Sequence, residues 1–284
     1  MSGAQTIWLI HNDASGSNSA EALDTFHEHC QRCGLEVARV TSFPSDELPS
    51  PAMLDDAGIG IAALFAGDGT INAALGALAG WGGKVLVLPG GTMNLLYHRL
   101  FGDLPMEAAI AAVGDGSAAT CRPPIVESDA GTGYAGLLAG PGTSWSSVRE
   151  AMRNEDLLEL VQEAGEAFTQ TIDGPPVRCA EPALGKPEGY PLIQLAPTAT
   201  GLEISAYHAE TGAEFTKQLF ALLRRDFRAG PHDTLGTVDS VTLATVGAEA
   251  LALLFDGEPA DAEGKVTFRL GTASVDMLTT LRHG

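Results

Sequence analysis

The residues best suited to chemistry stand in two glycine-rich runs. Phe65-Ala66-Gly67-Asp68-Gly69-Thr70 joins an apolar stretch to a helical pattern, and Leu88-Pro89-Gly90-Gly91-Thr92-Met93-Asn94 does the same further on. Glycines beside an acid let the backbone turn sharply and leave amide N–H groups to face an anion. A helix opening after such a run adds the unpaired N–H groups of its first turn and the positive end of its dipole, so each junction suits phosphate. For the first run alone, a plain strand-to-helix turn with Asp68 as the helix cap explains the residues equally well. Two such runs after adjacent strands favour a shared polyphosphate cleft. The second run adds a hydroxyl and a carboxamide, from Thr92 and Asn94. A third polar run, Asn12-Asp13-Ala14-Ser15-Gly16, closes the first strand.

Loops of this kind work only if one sheet brings them to a common edge. The first part of the chain alternates strands (6–12, 35–41, 60–66, 85–88) with helices (19–33, 53–56, 70–79, 93–100, 105–113). That alternation implies crossover connections and a mostly parallel sheet with helices on both faces, in which ligands bind at the carboxyl ends of the strands. After Arg122 the pattern changes to short extended stretches (134–138, 177–180, 192–195, 241–245, 250–255, 266–270) with helical inserts at 146–169 and 213–227. Gly and Pro punctuation there predicts an antiparallel, sandwich-like second domain. The expectation is a nucleotide-binding α/β domain over 1–122 and a β-rich α+β domain over 123–284. The last segment is allowed to return and pack on the first domain.

The chain has 284 residues, 45% of them apolar and 18% charged, with 16 basic against 36 acidic residues for a net charge of −20. This is a folding composition, and its acidity argues against nucleic acid as a partner. The arginines at 224, 225 and 228 read as one solvated turn. No apolar run reaches the ~20 residues of a membrane span, and a cytoplasmic location with at most peripheral membrane contact is expected. Cys30 and Cys33 continue the helical stripe begun by Leu23 and Phe26, so a buried face is preferred to redox or zinc chemistry.

Taken together, the loops resemble the catalytic domain of diacylglycerol kinases, sphingosine kinases and the bacterial lipid kinases similar to them. That family has N-P-x-S-G after its first strand, G-G-D-G-T after its third and P-x-G-T-x-N after its fourth. Phe255-Asp256-Gly257-Glu258-Pro259 resembles its D-G-E-P signature, although D-G-E alone also suits a plain hairpin turn. The resemblance implies an ATP- and Mg2+-dependent kinase acting on a lipid-like alcohol, such as a diacylglycerol, a sphingoid base or a phosphatidylglycerol. It implies a nucleotide site at Asn12, Ser15, Gly16, Thr41, Ala66, Gly67, Asp68, Gly69, Thr70, Asn72, Gly91, Thr92 and Asn94. Asp256 and Glu258 are its candidates for the base that takes the hydroxyl proton, with Asp68 the third acid in reach. Metal ligands and oligomeric state stay unassigned, a homodimer being compatible with exposed strand edges.

Departures from the family pattern fall on both sites. Ala66 replaces a glycine, Asp13 a proline, Ala73 a glutamate and Leu95 an aspartate. If the run at 140–144 aligns with the family's G-x-G-F-D stretch, Ser144 replaces an acceptor-side acid. These changes motivate an alternative, a nucleotide-binding protein without transfer activity. An NAD kinase-like enzyme is the third reading, since that group shares the G-G-D-G-T loop.

Overall fold

A strand covered on both faces has to be apolar along its whole length, and the run at 61–66 meets that demand, every residue in it being buried. It belongs to the series β1 (Gln5–Asn12), α1 (Ala20–Arg32), β2 (Leu35–Phe43), α2 (Pro51–Asp56), β3 (Ile61–Ala66), α3 (Asp68–Ala77), β4 (Lys84–Pro89), α4 (Leu95–Phe101) and α5 (Met106–Gly114), closed by β5 (Ala119–Cys121). The computed structural model describes residues 5–12, 20–140, 174–207, 232–247 and 250–281. Outside these lie Ser15 and Gly16, the run at 141–144, both expected helical inserts and the three arginines at 224, 225 and 228.

Two units result. Met1–Pro123 with Thr272–Gly284 forms the first, and Pro124–Gly271 the second. The sheet of the first unit has the order β2-β1-β3-β4, followed by β18 (Asp276–Thr279) and then β5. Its first four strands are mutually parallel. The returning β18 pairs parallel with β4 and antiparallel with β5. Met277 is fully buried, and the Thr279 hydroxyl donates to the Leu100 carbonyl at 2.5 Å, which fixes the returning strand against the end of α4. In the same unit, the rings of Phe26 in α1 and Phe65 in β3 stack with centroids 6.2 Å apart.

The second unit contains β6 (Pro124–Ser128), β7 (Gly131–Gly133), β8 (Leu137–Gly140), β9 (Val177–Glu181), β10 (Ala183–Leu184), β11 (Leu192–Thr198), β12 (Gly201–Tyr207), β13 (His232–Val238), β14 (Ser240–Thr245), β15 (Leu251–Phe255), β16 (Glu258–Ala262) and β17 (Lys265–Thr272). They form two six-stranded sheets, β10-β9-β14-β17-β6-β7 and β13-β12-β11-β8-β15-β16. Alternate residues of both sheets, among them Leu137, Ile193, Ile204, Leu243, Leu253 and Phe268, share one apolar core. This is the period-two pattern of antiparallel strands that bury one face on a common interior.

Two local expectations are corrected. The strand expected at 134–138 starts only at Leu137, because residues 134–136 turn their amides onto Asp256. Asp68 is not the helix cap: Gly67 takes the N-cap position of α3, with φ −76° and ψ 165°, and Asp68 is already helical.

Candidate functional site

Parallel pairing of β3 with β4 sets Ala66 opposite Pro89 and brings both glycine loops to the same sheet edge. There they touch. The Gly90 amide donates to the Ala66 carbonyl at 3.1 Å. A Cβ built on Gly91 would stand 2.6 Å from the Gly67 Cα, a clash that backbone, unlike the end of a flexible side chain, does not relieve cheaply. Only glycine fits at Gly91, so backbone meets backbone where the loops cross. The reverse substitution is less constrained, since a Cβ on Gly67 would find the Gly91 Cα at 3.5 Å.

Side chains then fasten the pair. Asn94 adopts the left-handed conformation, φ 52° and ψ 44°, as the N-cap of α4, a region that asparagine tolerates better than most residues. Its Oδ1 accepts from the Gly91 amide at 2.8 Å and its Nδ2 donates to the Gly91 carbonyl at 2.7 Å. The carboxamide thus clasps its own loop. The buried Asp68 reaches across, its Oδ1 accepting from the Leu96 amide at 3.3 Å. The third loop joins through Asn12, whose Nδ2 donates to the Thr70 hydroxyl at 2.9 Å. The first intrahelical bond of α3 runs from the Ile71 amide to the Gly67 carbonyl. The amides ahead of it therefore point out of the positive end of the helix, an arrangement that attracts anions.

The structure places the other expected binding residues variously. Thr92 is exposed, while Gly69 and Asn72 are half-buried near the start of α3. Ala66 is fully buried as the last residue of β3. Thr41 is buried in β2, where its hydroxyl accepts from the Trp8 indole N–H at 2.8 Å, with the Arg39 guanidinium above the same ring. At the end of β1, buried His11 pairs its Nε2 with the Ser42 hydroxyl at 2.9 Å. Leu95 is buried at the start of α4, which accounts for an apolar residue there. The clasping role of Asn94 was not read from the sequence, where its carboxamide was expected to face the nucleotide. A small polar residue just ahead of a helix, three positions after a glycine, was the available signal.

Asp256 and Glu258 belong to the second unit, at the turn joining β15 to β16. Phe255 pairs with Glu258. The two residues between them have positive φ, 49° at Asp256 and 89° at Gly257, as in a tight two-residue hairpin turn. Asp256 is only 2% exposed. Its Oδ2 accepts from the Tyr134 amide at 2.6 Å, and its Oδ1 from the amides of Ala135 and Gly136 at 2.7 and 2.9 Å. The Asp256 amide returns a bond to the Gly136 carbonyl at 3.2 Å. Glu258 is intermediate in exposure at the first position of β16. Burial, then the nearby negative charges of Asp256 and Glu127, push the Tyr134 phenol up to about 12. Among the described residues, no group of three or more His, Cys, Asp or Glu gathers to hold a metal, and no helix is long and apolar enough to cross a membrane.

Residues 6–122 match the diacylglycerol kinase catalytic domain family. No curated protein sequence matches the chain. The fold is similar to three solved structures of diacylglycerol kinase-type proteins from Bacillus anthracis str. Sterne. The first has a TM-score of 0.64 at 14% identity over 98% of this chain and 96% of that one. The second has 0.57 at 14% over 96% of each, and the third 0.61 at 12% over 97% of each.

Proposed function

The domain of residues 6–122 belongs to the diacylglycerol kinase-like superfamily, and on that premise we propose that the chain transfers the γ-phosphoryl group of ATP to the hydroxyl of a lipid-like alcohol. The observation that carries this reading is the contact of the two glycine loops, where Gly91 has no room for a side chain against Gly67. Such a junction offers an anion backbone amides, and the donor set suits a polyphosphate. ATP with Mg2+, when bound, supplies the phosphoryl group and the neutralising charge that phosphoryl transfer needs. Mg2+ would reach the site with the nucleotide's phosphates.

The chain's own residues have separable tasks. The first amides of α3 orient the anion. Asn94 holds the Gly91 peptide in place, Asp68 ties α4 to α3, and Asn12 fixes the Thr70 hydroxyl. An acid of the D-G-E turn takes the proton of the acceptor hydroxyl, the step a positioned carboxylate performs in this chemistry.

The test is transfer of labelled phosphate from ATP to a panel of diacylglycerols, sphingoid bases and phosphatidylglycerols. Transfer to at least one lipid, lost in Gly91→Ala, is the expected result. Tight ATP binding by calorimetry without transfer to any acceptor would reduce the chain to a nucleotide-binding protein. Phosphorylation of NAD alone would replace the lipid with a dinucleotide.

A further inference from the structure

The two sheets of the second unit differ in charge. Strands of the sheet β10-β9-β14-β17-β6-β7 carry Arg178, Lys265 and Arg269 beside Glu127 and Glu181. Strands of the other sheet carry Glu203, Asp233, Glu258 and Asp261, and no lysine or arginine. We infer that the outward face of the first of these sheets docks the chain on a bilayer surface rich in anionic phospholipid. Its purpose rests on the kinase reading above, since a lipid-like acceptor is met at such a surface.

Alternation puts the cations on that face. Cys179 in β9, Leu243 in β14 and both Val266 and Phe268 in β17 turn into the common core, so their neighbours along each strand point the other way. In register, Arg178 and Lys265 stand on either side of Ala244. Thr242 lies opposite Thr267, with their hydroxyls 2.9 Å apart, and Ser240 lies opposite Arg269. The three cations are exposed, whereas Thr242 and Ala244 between them are buried. Long flexible arms thus rise around small residues. Among the described residues, no carboxylate forms a salt bridge with Arg178, Lys265 or Arg269. The acids of the sheet sit toward its strand ends: Glu181 closes β9, and Glu127 lies against Gly271 late in β17.

The net charge of −20 opposes approach of the whole chain to an anionic surface, and screening decides the balance. The Debye length is about 8 Å at physiological salt, while packed sheets stand about 10 Å apart. Acids on the far sheet are therefore largely screened from a surface that the near face touches. Each cation in contact adds about fivefold to the partition. With strands about 4.8 Å apart, Arg178 and Lys265 start about 10 Å from one another, a spacing that separate headgroups span more readily than one small anion.

The experiment is sedimentation of the full chain with vesicles, without nucleotide, at about 0.1 M salt. Vesicles of phosphatidylcholine alone are compared with vesicles of phosphatidylcholine and phosphatidylserine. The chain should partition onto the second kind and scarcely onto the first, and about 1 M salt should release it. Arg178→Gln, Lys265→Gln and Arg269→Gln should each lower the partition about fivefold, and the triple variant about 10²-fold. Each single variant should keep the wild-type Tm within about 2 °C, so the single variants decide if the triple one does not fold. Lys186→Gln, outside these strands, should bind as the wild type does. Equal binding to both kinds of vesicle, undiminished binding by the variants, or an equal loss in Lys186→Gln overturns the docking face. Release by millimolar inorganic phosphate at constant ionic strength overturns it too, in favour of a small-anion site. Sedimentation needs no phosphate transfer, so the two readings fail separately. A chain that binds the anionic vesicles and phosphorylates no acceptor loses the kinase reading. One that phosphorylates lipid in detergent without binding them loses only the docking face.

Discussion

The glycine loops of the first unit and the D-G-E turn of the second use the same material to opposite ends. Both gather backbone amides at a tight bend, and both contain an aspartate. At the loops, side chains fasten the backbone from within: Asn94 clasps Gly91, and Asp68 accepts from Leu96. The first amides of α3 are left pointing outward. At the turn, the amides of residues 134–136 point inward, onto a carboxylate of the same chain. A bend whose amides face out can receive an anion from elsewhere. One whose amides face a resident carboxylate is a finished structural joint. Aspartates that look alike in sequence as motif acids therefore do different work, and their neighbours decide which.

The hardest blow to this contrast is Gly91→Ala. Its methyl would sit 2.6 Å from the Gly67 Cα, so the loops must part and the outward amides lose their arrangement. Phosphate transfer should fall by about 10²-fold or more, a loss that a 1 Å misplacement is enough to cause. Gly67→Ala meets only an ordinary contact at 3.5 Å, and its φ of −76° suits any residue. It should keep most of the activity. Equal losses in the two variants, measured by transfer of labelled phosphate, would show that the crossing of the loops is not what matters.

Asp256→Asn comes next in size and tests the other half of the contrast: thermal unfolding of the full chain should show its Tm lowered by about 5 °C or more. Set beside it, Asp68→Asn should cost less stability than Asp256→Asn. At Asp68 an asparagine oxygen still accepts from the Leu96 amide, whereas at Asp256 no rotamer of asparagine satisfies three amides. Chemical denaturation should place the difference at about 1–2 kcal/mol.

The contrast also explains what was legible in the sequence. The loops could be read because each lies between a long apolar strand and a helix, and local pattern reports both. Strands β1 to β4 all lie within a few residues of their expected bounds. The insertion of β18 between β4 and β5 was open only as a possibility, because pairing across the whole length of the chain leaves no local trace. Short strands such as β7 and β16 were missed for a different reason. Their residues alternate weakly in polarity, and each is an edge strand hairpinned to the strand just before it. The grip on Asp256 comes from residues about 120 positions earlier, so the motif D-G-E could suggest an acid site or a hairpin turn without separating them. The structure shows the turn to be a two-residue hairpin.

A smaller effect is expected when the clasp at Asn94 is loosened. Asn94→Gly keeps the left-handed backbone and removes both bonds to Gly91. It should cost about 1–2 kcal/mol in stability and weaken ATP binding several-fold by calorimetry. Asn94→Ala adds the strain of φ 52° and should be worse on both counts. If glycine and alanine behave alike, backbone conformation is not part of how the loop is held.

The smallest change at neutral pH is Tyr134→Phe, and it separates the Tyr134 backbone from its ring. The amide that donates to Asp256 survives the substitution, so the joint should hold and stability should drop by about 1 kcal/mol or less. The difference emerges in alkali. The phenol is raised from 10.0 to about 12, by burial first and then by the charges of Asp256 and Glu127. A group whose folded pKa lies above its unfolded one favours the folded state below the unfolded value, and that contribution is lost as pH rises through the folded one. Wild-type stability should therefore fall between pH 10 and pH 12 with one more proton of slope than Tyr134→Phe shows. The remaining slope has its own sources, since burial also raises the phenols of Tyr97 and Tyr207 to about 12 and the thiol of Cys30 from 9.0 to about 12. A large loss in Tyr134→Phe at neutral pH would mean that the ring, and not the amide row, secures the turn. Asp256 would then be a passenger in a joint made by tyrosine packing.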